Sequence, residues 1–451
     1  MGKKLGDRVV IIGGTAAGSK AAATARRRNP DLDILVLQSG AEVSYSACGM
    51  PYYLSDEEHV PRKLLVARTP DQFERDGIDV RIRHKVEGVD PKKGAVEITN
   101  LESGKTWSES FDQLLIATGA DPIEPPIPIA DGAPPVVTLR SFKDMDRIRQ
   151  MAGECQRVVI VGGGYIGLEM AETFHALGKQ VALAELAPRL LPNFEPSVAE
   201  IVKTHLEGHG VELHLGTGVA ELISNGVRLD SGEEIQADLV LMAVGLRPST
   251  GLAQQAGVKL GATGAITTDA GMHTNVERIY AAGDCTEVHH FVSDQPIWLP
   301  LGDVANRQGR VAGENIAGGK AAFSGVLGTA IFKVFDLAVA TTGLNEAQAR
   351  DAGFDPATCQ VTTLSRARYM PTCRNLELLM VGDKKSGRLL GCQAVGEDGA
   401  DKAIDTIAAG LWGKLTADDM AEIDLAYAPP YSPVMSPVQV AAEVLRKKLR
   451  K

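Results

Sequence analysis

The chain has 451 residues and a net charge of −10, from 47 Lys and Arg against 57 Asp and Glu; the acidic balance excludes a general nucleic-acid binder, and the length calls for roughly two to four domains. No apolar run approaches the ~18 residues that span a bilayer, which predicts no membrane contact. Six scattered cysteines with no CxxC pair, and no secretory leader pattern, predict reduced thiols in a cytoplasmic protein.

The first informative segment is RVVIIGGTAAG, residues 8–18. Its β-branched residues read as a buried parallel strand, and the glycines as a sharp turn into a helix whose first amides can face a pyrophosphate. Gly13 and Gly18 take the outer positions of G-x-G-x-x-G, with Thr15 in the middle one. A ligand-free strand–helix turn is the bland alternative. Arg26, Arg27 and Arg28 close the helix as a basic run, which is either a phosphate contact or a solvated face. A second strand, DILVLQS, ends at Gln38, where a carboxylate or amide can accept ribose hydroxyls. SYSACGMPYYL (44–54) follows, with Cys48 before a helix start. Helix N-termini lower thiol pKa values, so Cys48 is expected to be reactive; the competing expectation is a buried, inert thiol.

LLIATGADP (114–122) ends a strand at the small pair Thr118–Gly119, and a Pro-rich crossing follows. The opening design then recurs in RVVIVGGGYIGLEMAE (157–172). Gly162, Gly164 and Gly167 complete the motif there, with Tyr165 and Ile166 opening the helix. The strand QVALAEL brings Glu185 to the ribose position, 23 residues after Gly162. Two copies in one chain point to two adenine dinucleotides. His205 and His209 stand at i, i+4, but no third ligand is evident in the sequence and no metal is expected. LVLMAVGLRP closes the second unit at Val244–Gly245. TNVERIYAAGDCTE ends a strand at Gly283–Asp284; Asp284 reads as a ribityl contact or a helix N-cap. His289 and His290 read as solvent or packing residues.

Residues 1–120 and 248–322 are thus expected to form one dinucleotide domain, with 121–247 inserted as another. From 323 the strand-like pieces VTTLSRARYM, NLELLMVGD and LLGCQAVG precede a helical run, predicting a small α+β domain over 323–451. The fold class is α/β, with two Rossmann-like domains, one inserted in the other, and a C-terminal α+β unit.

These motifs resemble the flavin-dependent pyridine nucleotide–disulfide oxidoreductases over nearly the whole chain. Position 53, where relatives with a dithiol pair carry the second cysteine, is Tyr53. The chain therefore resembles the single-cysteine branch of coenzyme A disulfide reductases, NADH oxidases, NADH peroxidases and persulfide reductases. Ala16 stands where peroxidases carry a His, which counts against peroxide chemistry. The resemblance implies FAD in the first unit, NADH (or NADPH) in the second, and a homodimer through the C-terminal domain. It makes Cys48 the redox residue and Tyr165 a flavin shield. It makes Tyr369 (in RARYMP) and Tyr427 (in LAYAPPYSP) proton donors contributed by the partner subunit. Coenzyme A contacts carry over to Arg27 and Ser44, while Asn306 stands in place of a His, with Arg307 beside it. Glu185 disfavours a 2′-phosphate, and Arg189 favours one. Cys373, four residues after Tyr369, is a candidate resolving thiol in trans. The expected reaction is reduction of coenzyme A disulfide, or of a related small disulfide or persulfide. The rivals are oxygen reduction and an electron-entry subunit of a larger complex.

Overall fold

The computed structural model describes residues 8–450. Two five-stranded parallel sheets stand where the two glycine motifs predict them. The first runs Ile279–Ala281, Gln113–Ile116, Arg8–Ile12, Asp33–Leu37, Ile78–Arg81 in spatial order. The second runs Glu212–Leu215, Gln180–Glu185, Arg157–Val161, Leu239–Met242, Val136–Val137. Their Val- and Ile-rich central strands are buried on both faces, which is why these segments read as continuous apolar runs. The chain leaves the first sheet after Ile116, builds the second, and returns at Ile279. Where it crosses out and back, Ala120–Pro122 pairs antiparallel with Leu246–Pro248.

Each sheet carries a three-stranded antiparallel meander that the sequence reading did not place. One comprises His84–Asp90, Ala95–Asn100 and Thr106–Ser110; the other comprises Val219–Ile223, Gly226–Leu229 and Glu234–Gln236. A five-stranded antiparallel sheet forms the last unit, in the order Ala330–Val334, Leu337–Gly343, Leu389–Gly396, Asn375–Asp383, Pro356–Leu364. Helices Ala400–Trp412 and Pro437–Leu449 bury apolar faces in its core. The strand expected across VTTLSRARYM stops at Leu364. Beyond it the Ala367 amide donates to the Pro429 carbonyl, and Arg366 pairs with Asp398, so 365–374 leaves the sheet as a loop. Among the described residues no helix is long and apolar enough to cross a membrane.

Helix Ala16–Arg28 packs on helix Gly302–Ile316 through small residues. A Cβ added at Gly309 would lie 2.3 Å from the Ala17 carbonyl oxygen, and one at Gly313 the same distance from that of Ala21. Two backbones therefore touch behind the first glycine turn, and overpacking there has nowhere to relax. Gly309→Val is expected to cost about 1–3 kcal/mol. Thermal unfolding checks it against Gly302→Ala at the open start of the same helix, where nothing lies within 4 Å, and which should unfold with the parent.

Candidate active site at the glycine turns and Cys48

Both glycine turns are built alike. Gly13 (φ +99°) brings the chain so close to the neighbouring strand end that a Cβ would sit 2.1 Å from the Ala117 carbonyl oxygen; Gly162 (φ +111°) does the same 2.4 Å from that of Ala243. Gly18 and Gly167 then press the following helices onto the Gly13 and Gly162 carbonyls. In the first turn the Gly14 amide donates to Gln38 Oε1 (2.9 Å); in the second the Gly163 amide donates to Glu185 Oε2 (2.6 Å). Glu185 Oε1 also accepts from the Ala187 amide (2.7 Å). Both side chains at the ribose position are thus fixed by the turn itself and keep lone pairs for a ligand.

The residues present fit two dinucleotides. Helix Ala16–Arg28, starting at Thr15, and helix Tyr165–Ala176, starting at Gly164, have no side-chain cap, so their first amides stay available to an anion. A Cβ at Gly164 would meet nothing within 4 Å, so the cradle is open on that side. In the first unit Gln308 is buried; its Oε1 accepts from the Gly283 amide (2.7 Å) and from Thr286 Oγ1 (3.1 Å), leaving Nε2 without a partner. Thr118 Oγ1 donates to the Ser249 carbonyl (2.6 Å), and Gly119 and Gly245 both adopt positive φ at their strand ends.

Asp284 does not cap a helix: a strand, Val288–His290, follows it. Its carboxylate lies 3.8 Å from Arg140, and burial raises its pKa against the pull of that guanidinium. Arg140 also donates Nε to the Ala120 carbonyl (2.7 Å), placing a cation between the Gly119 and Asp284 turns. Arg140 was not legible in the sequence because it lies in a short link between strand Val136–Val137 and helix Phe142–Glu154, far from either motif.

Cys48 sits in a single 3₁₀ turn, Ala47–Gly49, directly before the short helix Met50–Ser55. Its loop is tied to the first glycine turn by Ser44 (φ +50°), whose amide donates to the Gly14 carbonyl (2.8 Å). The thiol is exposed to solvent yet ringed by protein. The expected lowering of its pKa is overturned: burial raises it, and Glu169, Asp284 and Asp303 raise it further. Six residues of helix supply too weak a dipole to offset three carboxylates.

Glu169, also missed, stands one turn after Tyr165 on the helix that opens the second motif. Burial and the nearby Glu172 push its pKa up to about 7, against Tyr52 and Lys333. Tyr52, four residues after Cys48, donates its hydroxyl to Glu169 Oε1 (3.4 Å) and is itself raised to about 12, chiefly by burial. The available signal was the i, i+4 spacing of Tyr165 and Glu169, which sets that pair on one helical face, and the nearness of Tyr52 to Cys48 in sequence.

The remaining predicted residues separate into free and engaged groups. Tyr369 is 74% exposed and Tyr427 50% exposed; their loops are joined by the Ala367–Pro429 backbone bond (3.2 Å). Among the described residues no hydrogen bond links either tyrosine to the Cys48 loop. Cys373 is half-buried and turns its thiol to the Arg366 carbonyl (3.4 Å). Of the arginine run, Arg26 is held by the Pro30 and Gly77 carbonyls and Arg28 by Glu314, whereas Arg27 has only Thr24 of its own helix. Asn306 is held by the Gly302 carbonyl; Arg307 donates to the Gly325 carbonyl (3.1 Å) and lies over the Phe323 ring. Tyr165 packs against Phe332 and Phe194.

A carboxyl raised from 4.5 toward 7 favours the folded state while protonated, and that advantage is lost as pH rises through the folded value. Glu169→Gln should therefore raise the thermal midpoint more at about pH 8 than at about pH 5. It should also lower the pH midpoint for alkylation of Cys48, since a neighbouring negative charge is gone. An unchanged alkylation midpoint would separate the two groups electrostatically.

The family pattern described as pyridine nucleotide-disulphide oxidoreductase matches residues 7–309, and that of its dimerisation domain matches 329–438. The chain is 39% identical over 443 residues to an NAD(P)H sulfur oxidoreductase (CoA-dependent) of Pyrococcus abyssi, covering 95% of this chain and 96% of that protein. Among solved structures it superposes on reduced Bacillus anthracis CoADR-RHD with TM-score 0.95 at 34% identity, covering 98% of this chain and 80% of that one. An NAD-dependent persulfide reductase from A. fulgidus gives TM-score 0.94 at 39% identity, covering 98% and 83%. The duplicated glycine turns and the sheet that follows them thus have a family: this chain belongs to the pyridine nucleotide-disulphide oxidoreductases, flavin- and NAD(P)H-dependent enzymes.

Proposed function

We propose that this chain is a homodimeric NADH-dependent reductase of coenzyme A disulfide, or of a related small disulfide or persulfide, working through Cys48 alone. The observation that carries this reading is the isolation of that thiol. Cys48 is exposed on a loop tethered to the first glycine turn, while Cys155, Cys285, Cys359 and Cys392 are buried and Cys373 is half-buried on the Arg366 carbonyl. An exposed thiol beside a flavin site, with no second cysteine in its loop, must alternate between thiolate and a mixed disulfide or persulfide. The overall balance is NADH, a proton and a disulfide giving NAD⁺ and two thiols. The bound flavin supplies the two-electron relay between nicotinamide and sulfur.

The chain's own residues then have assignable tasks. Gly13, Thr15, Gly18, Gln38, Thr118, Gly119 and Asp284 frame the FAD site. Gly162, Gly164, Ile166, Gly167, Glu185 and Gly245 frame that of NADH, with Tyr165 covering its inner end. Glu185 repels a 2′-phosphate, and Arg189 is turned away to the Pro192 and Phe194 carbonyls, which supports NADH. Reduction of a disulfide at Cys48 releases a thiolate that needs a proton, and Glu169 with Tyr52 holds one beside it. Tyr369 and Tyr427, exposed on linked loops of the dimerisation domain, serve the leaving thiolate of the partner's site. Arg27 is the unengaged cation for a coenzyme A phosphate, with Ser44 near the thiol; Asn306 and Arg307 lie one turn beyond Asp303, whose charge reaches Cys48.

Anaerobic titration with NADH, followed by mass analysis of Cys48 and of any released thiol, tests this. Flavin reduction with release of coenzyme A, and a Cys48→Ser enzyme that still accepts hydride but loses disulfide turnover by at least about 10³-fold, are expected. A sulfenic Cys48 with rapid oxygen consumption would replace the reading by oxygen reduction. Undiminished electron transfer to a protein acceptor in Cys48→Ser would replace it by an electron-entry role.

A further inference from the structure

The pair His205 and His209 gains in the fold what the sequence lacked. Asp336, at the tip of the hairpin joining Ala330–Val334 to Leu337–Gly343, lies against them, and one donor atom from each of the three residues falls within 4.8 Å of the other two. His205 Nε2 is 2.6 Å from Asp336 Oδ1, yet it is a buried nitrogen that forms no hydrogen bond. The two groups thus lie in direct contact, with the His205 N–H not directed along it. His209 Nδ1 lies 2.9 Å from the His205 carbonyl oxygen; a proton on Nδ1 donates there and leaves the Nε2 lone pair free. A ligating histidine commonly anchors its other nitrogen to a backbone carbonyl in this way.

The surroundings hold the three groups in place. Phe335, in the left-handed region (φ +54°), stacks on the His209 ring at 4.0 Å and 11°. Its amide donates to Glu172 Oε2 (2.8 Å), and Lys333 pairs with the same carboxylate. The hairpin tip is thus positioned by Glu172 of the helix Tyr165–Ala176, which among the described residues leaves Asp336 engaged with His205 alone.

We propose that His205 Nε2, His209 Nε2 and the Asp336 carboxylate form a binding site for a late first-row divalent ion of the Zn²⁺ class. Two imidazoles and a carboxylate are borderline ligands that suit this class, with water completing a tetrahedron. Ligand bonds of roughly 2.0–2.2 Å require donor atoms about 3.5 Å apart, so His205 and Asp336, 2.6 Å apart, part by side-chain rotation to admit an ion. The ion joins the end of helix Pro196–Gly208, in the unit carrying Glu185, to the first hairpin of the dimerisation domain. It makes no use of Cys48 and does not depend on the substrate proposed above.

The test is titration of the flavin-loaded protein with Zn²⁺ against a chromophoric chelator, in a Cys48→Ser background so that the thiol does not compete. One ion per chain is expected, with Co²⁺ giving the intense visible bands of a tetrahedral site, and His205→Gln should weaken binding by at least about tenfold. Flavin absorbance and the metal-free thermal midpoint show that the variant is folded. If it is not, Asp336→Asn, altering an exposed carboxylate, reads the same loss. Equal affinity in parent and variant, no stoichiometric binding, or loss of binding only in His214→Gln at the separate Glu212–His214–Glu233 cluster would each overturn the proposal.

Discussion

The structure depends on one steric constraint met twice: a strand must end against its neighbour so tightly that no side chain fits at the turn. Gly13 and Gly162 satisfy it, each with a carbonyl oxygen where a Cβ would stand. Closing that gap brings the next helix start to the end of the sheet and leaves its unsatisfied amides open to an anion. The same closeness lets Gln38 and Glu185 bond back to the turn, so the open amides and these two side chains are set by one piece of geometry. The Cys48 loop inherits its place from it, because Ser44 hangs from the Gly14 carbonyl.

The charges around Cys48 shape the chemistry differently from a simple dipole argument. Glu169, Asp284 and Asp303 oppose the thiolate, so in this setting the thiol is not poised by its own helix. Negative neighbours favour states of the sulfur that carry no charge, such as a disulfide or a protonated thiol. A carboxyl that ionises near neutrality in the same cluster couples the sulfur to the proton concentration over a range that isolated cysteines do not sense.

The parallel sheets, both glycine turns, the strands ending at Gln38 and Glu185 and a final α+β unit were legible because each follows from local pattern: β-branched runs, glycine spacing and alternation. The Rossmann-like fold and the family membership followed from them. The strands Ala330–Val334 and Leu337–Gly343 of the final unit and its antiparallel pairing were not read. The meanders at His84–Ser110 and Val219–Gln236 were not read, since their short, half-exposed strands carry weak alternation and no motif. The Asp284 cap failed because a glycine–aspartate turn precedes strands as well as helices. Arg140, Glu169 and Asp336 lay beyond reach for a shared reason: each acquires its neighbours only when segments distant in sequence are brought together. Charge around Cys48 belongs to the same class, since three of its determinants come from three different elements.

The antiparallel pairing of Ala120–Pro122 with Leu246–Pro248 has a mechanical consequence. A domain hung from one strand swivels freely, but one hung from two strands laced by backbone hydrogen bonds resists torsion and slides only by breaking the ladder. The inserted unit is therefore held in angular register with the sheet it interrupts, and its core, continuous with Met50 and Leu54 beside Cys48 and with Phe332 and Val339 of the last unit, holds it there as well. The ladder and this shared core together fix how the open glycine cradle stands relative to the Cys48 loop.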